Sequence, residues 1–191
     1  PGVKSAFTGI KYHSGLQAVW FPVVQYLPMH DIYRPVGGVL RYLNPKNGLK
    51  YFTRLLPAFK GCMHIESQCL RTAKYIVLVE DMISAKAVRH HVSDDFCVLA
   101  VLGTNVTLQK INFIKEHNPN ASIITWFDAD NAGDKARAKA STYCEMLLIP
   151  YINLNTGHDP KRNRYIVTTL RKALTFIGAQ KYVGPEYFKT W

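Results

Sequence analysis

The sequence predicts an α/β protein: a parallel four-stranded sheet with flanking helices over residues 73–178, preceded by a small basic β-rich subdomain over residues 1–72 and followed by a C-terminal tail, 179–191. Three observations predict it. From about residue 74, short apolar runs alternate with segments of helical composition four times, a pattern that implies right-handed crossovers and a parallel sheet covered on both faces. The first 60 residues are instead rich in Gly, Pro and aromatics. The chain has 191 residues, 48% of them hydrophobic, which is enough to bury one good-sized core or one domain with a smaller companion.

In the N-terminal part, alternating runs at 18–26 and 39–43 are broken by Pro22, Pro28, Pro35 and a PKNG turn at 45–48, which favours short antiparallel strands. KYIVLVE (74–80) reads as the first buried strand of the second part, and SAKAVRHHV (84–92) as its helix. FCVLAVLG (96–103) is a second strand, followed by LQKINFIKEH (108–117), where Leu108, Ile111 and Ile114 fall at helical spacing. ASIITWFD (121–128) is a third strand, and 133–147 is a helix with Ala136, Ala140, Tyr143, Cys144 and Leu147 on one face. LLIPYINL (147–154) is a fourth strand, and 164–178 a closing helix. Parallel strands open every following loop on one edge, where such sheets bind ligands. Those loops carry Glu80, Gly103 with Thr104, Asp128 with Asp130, and Asp159.

The net charge of +11 is unevenly distributed. Residues 1–60 hold eight Lys or Arg against one acid, 61–159 nine against eleven, and 160–191 seven against one. A solvated surface accounts for basic flanks but not for the segregation; a polyanion lying across the flanks, its phosphates held over an acidic metal site, accounts for both. No apolar run is long enough to span a bilayer, and the N-terminal PGVKSAFTG carries no signal-peptide hydrophobic region. The expectation is a cytoplasmic chain with no membrane partner, cut or processed from a longer polypeptide because it starts at Pro1 without Met. Cys62, Cys69, Cys97 and Cys144 show no CxxC pair and read as reduced core thiols.

The stretch TWFDADNAGDKA (125–136) sets Asp128 and Asp130 one residue apart at the end of a strand. Crowded carboxylates repel unless a cation or water lies between them, so the pair suggests a metal site. A plainer reading makes Asp130 or Asn131 a helix N-cap and Glu80 a surface charge. A cap needs one acceptor and leaves Asp128 unexplained.

A Glu ending one strand in LVEDMISAKAV, followed by Asp-x-Asp before an Ala-Gly helix start in FDADNAGDKA, resembles the Toprim domain shared by primases, topoisomerases and some nucleases, over about residues 74–177. The resemblance implies a Rossmann-like fold and Mg2+ or Mn2+ held by Glu80, Asp128, Asp130 and Asp159, with Glu80, Asp128 and Asp130 catalytic. A hard divalent cation takes oxygen ligands at roughly 2.0–2.1 Å and keeps several waters, leaving positions for phosphate oxygens. Gly133 is expected to let the chain turn tightly into its helix.

The leader GVLRYLNPKNGLKYFTRLLPAFKG resembles the segment before the Toprim domain in bacterial and phage primases, through Arg41, Lys50-Tyr51-Phe52 and Lys60-Gly61. VLGTNVT looks like their Gly-Thr loop. By that resemblance Arg41, Lys50, Tyr51, Arg54, Lys60, Gly103, Thr104 and Lys161 contact template or nucleotide. Two departures remove carboxylates: Ser84 stands where primases usually have Asp, with Asp81 one residue after the Glu, and Asp159 is followed by Lys161 where a second acid is usual. They leave the number of metals open.

The reading is thus the RNA-polymerase domain of a DNA primase, with a phage origin favoured. It implies a single-stranded DNA template, ribonucleoside triphosphates, a replicative helicase, and a zinc-binding template-recognition module outside this chain. The rivals are a small Toprim nuclease and a non-catalytic nucleic-acid-binding module. His90 and His91 read as surface residues and Ser84 as a helix N-cap, while KRNR (161–164) reads equally as a solvated helix start or a phosphate contact.

Overall fold

The computed structural model describes residues 10–45 and 50–176. Residues 46–48 of the expected PKNG turn, PGVKSAFTG, residues 177–178 of the expected closing helix and the tail 179–191 lie outside the described residues. The chain divides into two compact units, Pro1–Ile65 and Glu66–Trp191.

The first unit is an antiparallel meander of β1 (Lys11–His13), β2 (Ala18–Leu27), β3 (Ile32–Tyr42) and β4 (Tyr51–Leu55), paired in that order. Its strands are longer than the prolines suggest, since β2 runs through Pro22 and β3 through Pro35. The reason is position. Proline lacks a ladder donor and is tolerated at sheet edges and bulges. β1 pairs with β2 only as far as Trp20, and Pro35 sits where the β2–β3 register shifts between Val23 and Val24. Pro28 starts the short 3-10 turn Pro28–His30 that links the two. Val23, Val24, Tyr26, Val36 and Val39 are buried, and the two-residue strand β5 (His64–Ile65) adds a buried His64 whose Nδ1 accepts from Val24 N–H at 3.0 Å.

In the second unit, β6 (Tyr75–Val79), β7 (Phe96–Ala100), β8 (Ser122–Thr125) and β9 (Tyr151–Asn153) are parallel and lie side by side in the order β7-β6-β8-β9. β6 and β7 are buried at every residue, as strands covered on both faces must be. The connecting helices are α1 (Met82–His90), α2 (Leu108–His117) and α3 (Asn131–Met146), with α4 (Ile166–Phe176) closing. On α2, Ile111 and Ile114 are buried but Leu108 is exposed, because it opens the first turn. On α3 the buried face is Gly133, Ala136, Arg137, Ala140 and Cys144, with Tyr143 and Leu147 half-buried.

Each crossover helix starts on a side-chain cap: Asp81 accepts from Ile83 and Ser84 N–H for α1, Thr107 from Lys110 N–H for α2, and Asp130 from Gly133 N–H for α3. Ser84 is therefore not the N-cap expected of it; Asp81 has the extended backbone a cap needs, and Ser84 is already in the first helical turn. His90 is exposed and His91 half-buried, and none of the four cysteines, all among the described residues, is in a disulfide. No described helix is long and apolar enough to cross a membrane.

Candidate functional site

β6 stops at Val79 and β8 at Thr125, so Glu80 leaves the first directly while buried Trp126 and Phe127 carry the chain from the second to Asp128. The two strands are neighbours in register, which brings Glu80, Asp81, Asp128 and Asp130 to one edge. Trp126 N–H donates to Leu78 C=O at 2.8 Å and its Nε1 to Thr156 Oγ1 at 3.3 Å, fixing the exit of β8. After β7, Leu102 and Gly103 take left-handed backbone at φ 63° and 114°, a region costly for most side chains. Gly103 N–H then donates to Glu80 C=O at 3.0 Å, tying the Gly-Thr loop to the glutamate's backbone. Buried Lys110 holds that loop from beneath, donating from Nζ to Val101 and Asn105 carbonyls at 2.9 Å each.

The fourth loop supplies a cation. In the 3-10 turn Pro160–Arg162, which packs against α1, Lys161 turns its ammonium inward. Its Nζ donates to Asp128 Oδ2 at 2.7 Å and Asp81 Oδ2 at 2.8 Å, and lies 3.6 Å from Asp159 Oδ2. Burial pulls the ammonium pKa down, but the hydrogen bonds to Asp128 and Asp81 outweigh it and hold it above the ordinary lysine value. Asp159 also accepts from Ala129 N–H at 3.3 Å, linking its loop to the aspartate pair.

Two oxygens remain unpaired at this edge. Glu80 Oε2 and Asp128 Oδ1 are buried with no hydrogen-bond partner among the described residues. Burial, then the charges of Asp128 and Asp130, push Glu80 up to about 7 against the pull of Lys161. Burial likewise raises Asp128, with Lys161 opposing. Stranded carboxylate oxygens whose pKa is raised by burial and neighbouring acids are what a hard divalent cation relieves, and magnesium characteristically binds through one or two carboxylates plus water. The donor set fits such an ion. Among the described residues no group of three or more His, Cys, Asp or Glu side chains is placed to hold a metal ion; Lys161 already occupies the point at which Asp81, Asp128 and Asp159 converge. Asp130 is the α3 N-cap and also presses on Glu80 electrostatically, so the cap and the acidic site share one residue.

Gly133 plays a different part from the one expected. It lies in the first turn of α3, and a Cβ there would collide with the Asp128 carbonyl oxygen and stand 3.1 Å from the carbonyl carbon. It permits close approach of helix to strand end; it does not make the turn. Sequence reasoning missed Arg137, whose buried guanidinium donates from Nη1 to the carbonyls of Phe127 at 3.1 Å and Asp128 at 3.3 Å, while Nη2 pairs with Asp134. The signal was the Asp-x-x-Arg spacing one turn into the helix. Asp81, noted only as displaced, caps α1 with Oδ1 and binds Lys161 with Oδ2. Ser84 is buried, its Oγ without a hydrogen-bond partner among the described residues, one turn behind that cap.

In the first unit, Arg41 and Tyr51 are paired residues on β3 and β4, the guanidinium 5.5 Å from the ring centroid. Tyr51, Phe52 and Arg54 are exposed along β4, and Lys50 and Lys60 are exposed just outside it.

Residues 75–159 match the model of the Toprim domain family. No curated protein matches. Among solved structures, a DNA primase domain from Pseudomonas aeruginosa matches with a TM-score of 0.63 at 22% identity, covering 87% of this chain and 55% of that one. The Aquifex aeolicus primase, comprising zinc-binding and RNA polymerase domains, matches at 0.61 and 18%, covering 92% and 43%. A bacteriophage T7 structure of lagging-strand DNA polymerase interacting with primase domains bound to an RNA/DNA hybrid and dTTP matches at 0.53 and 16%, covering 88% and 80%. These likenesses show the fold. The chain spans about half the length of the two bacterial primase structures it matches.

Proposed function

We propose, from the premise that residues 75–159 of this chain are a Toprim domain, that the protein is the primer-synthesising domain of a DNA primase, joining ribonucleotides on single-stranded DNA. The observation that carries the reading is that the fold match to primase domains extends over 87% of the chain, so it takes in the leader as well as the Toprim domain.

Glu80 Oε2 and Asp128 Oδ1 are the atoms that would hold a magnesium or manganese ion, with Asp130 adding negative charge beside them. Such an ion, when bound, lowers the pKa of an attacking hydroxyl and neutralises charge on the transferred phosphoryl group. The protein's own part is to keep those oxygens dry and fixed. Arg137 clamps the backbone of Phe127 and Asp128, Gly103 pins Glu80, and Lys161 holds the second oxygen of Asp128. Arg41 and Tyr51 present a cation stacked against an aromatic face, a combination suited to the phosphates and bases of a single strand. A zinc-binding template-recognition module and a replicative helicase are the partners this reading requires outside the chain.

The test is one gel: the protein with single-stranded DNA, ribonucleotides and either Mg2+ or Mn2+, labelling nucleotides in one lane and template in another, with Asp128→Asn as control. Short labelled RNA that disappears in the variant is the expected result. Shortened template without incorporation would replace primase by nuclease.

A further inference from the structure

Among the described residues Lys161 is the part-buried cation at the site edge, with exposed Arg162 lying 3.7 Å from Asp159 Oδ2 at its rim, and the placement of Lys161 divides the carboxylates into two sets. Lys161 Nζ takes Asp81 Oδ2 and Asp128 Oδ2 and lies against Asp159 Oδ2. The other set, Asp128 Oδ1 and Glu80 Oε2, is buried with no hydrogen-bond partner among the described residues. Asp128 is thus placed as a bridging carboxylate, one oxygen bonded to an ammonium and the other without a partner among the described residues. Bridging carboxylates of this kind serve two-cation sites, in which paired ions clamp a transferring phosphoryl group from both sides.

We propose that Lys161 is a built-in second cation, so that this chain binds one divalent ion, between Glu80 and Asp128, where an all-carboxylate edge would take two. The inference rests on the divalent-ion reading above and goes beyond it in stoichiometry and in the role of the lysine. The geometry supports a permanent rather than a passing occupant. Lys161 is only 18% exposed, its two hydrogen-bonded partners are each 17% exposed, and Asp159 is 22% exposed. The turn that carries it is packed on α1, whose N-cap is Asp81, one of its ligands. An ammonium has three donors and no acceptor; two go to Asp128 and Asp81, and Asp159 Oδ2 stands at ion-pair distance, 3.6 Å. It supplies positive charge to a phosphate above the edge without exchanging with solvent.

The experiment is a titration of the whole chain with Mn2+ at neutral pH, following free ion by electron paramagnetic resonance, in the native protein and in Glu80→Gln, Lys161→Arg and Lys161→Met. The expected result is one ion per native chain, weakened at least tenfold in Glu80→Gln and still one in Lys161→Arg. Lys161→Met is expected to take up a second ion, and to melt below the native protein in chelator but recover on adding Mn2+. Two ions on the native chain overturn the proposal, as does unchanged stoichiometry in a folded Lys161→Met. If Lys161→Met does not fold, the native and Lys161→Arg counts decide: two ions on either overturn the proposal. A native chain that binds none, or binds equally well after Glu80→Gln, overturns the divalent-ion reading and this inference with it.

Discussion

Replacing Arg137 by Met tests whether the acidic edge is held from behind. The Arg137 side chain is 7% exposed and fills much of the same space as methionine, so the change mainly removes the two donations to the Phe127 and Asp128 carbonyls. A buried acceptor left unsatisfied costs about 1–3 kcal/mol. Two of them give about 2–6 kcal/mol, reduced because a guanidinium no longer has to be desolvated. The ion pair with Asp134 adds little, because Asp134 is 58% exposed and such pairs are worth about 0–1 kcal/mol. Urea unfolding of Arg137→Met is therefore expected to show a loss of about 2–4 kcal/mol, against less than about 1 kcal/mol for Asp134→Asn. Divalent-ion affinity should fall in the first variant and hold in the second, since only the first frees the backbone of Asp128. Equal losses in the two variants, or a loss in Arg137→Met below about 0.5 kcal/mol, would refute the idea that the guanidinium works by clasping those carbonyls.

Gly133→Ala should destabilise by about 1–3 kcal/mol and weaken Mn2+ binding, because the atom it strikes is the Asp128 backbone and not a movable side chain; denaturant melts and ion titration read the two effects. Glu66 is buried and its pKa is raised by that burial from 4.5 to about 8, against the opposing charge of Lys86 at 3.8 Å. The folded state thus keeps a proton the unfolded state releases, and stability should fall as pH rises from 4.5 towards 8. Glu66→Gln should flatten that slope, which unfolding midpoints at the two ends of the window would show. In the first unit, Tyr51→Ala should weaken single-stranded DNA binding by about 1–3 kcal/mol with little change in its salt dependence. Arg41→Met should reduce the salt slope instead, and fluorescence anisotropy across a salt series separates the two.

The alternation of apolar runs and helices was legible in the sequence because parallel strands buried on both faces must be continuously apolar, as β6 and β7 are. The same reading located the loops that meet at one edge, since parallel strands all end on the same side. Glu80, whose pKa is raised by burial and then by the charges of Asp128 and Asp130, stands with them in the two motifs that carried the family resemblance. Prolines misled in the first unit because tolerance of a missing donor depends on whether a neighbouring strand needs it, which is a property of pairing.

Local sequence by itself determined which side chains reach the edge; only the tertiary structure decided which of them pair. Lys161 lies 33 residues from Asp128 and 80 from Asp81, and no local pattern says whether a lysine faces solvent or turns inward. The packing of its turn on α1 settles that. Likewise the Asp-x-x-Arg spacing points to the Arg137–Asp134 pair, but only the fold places two carbonyls past the end of β8 beside the guanidinium. Spacing fixes direction along one element, whereas charge pairing is settled where elements meet and desolvation makes each unpaired group costly.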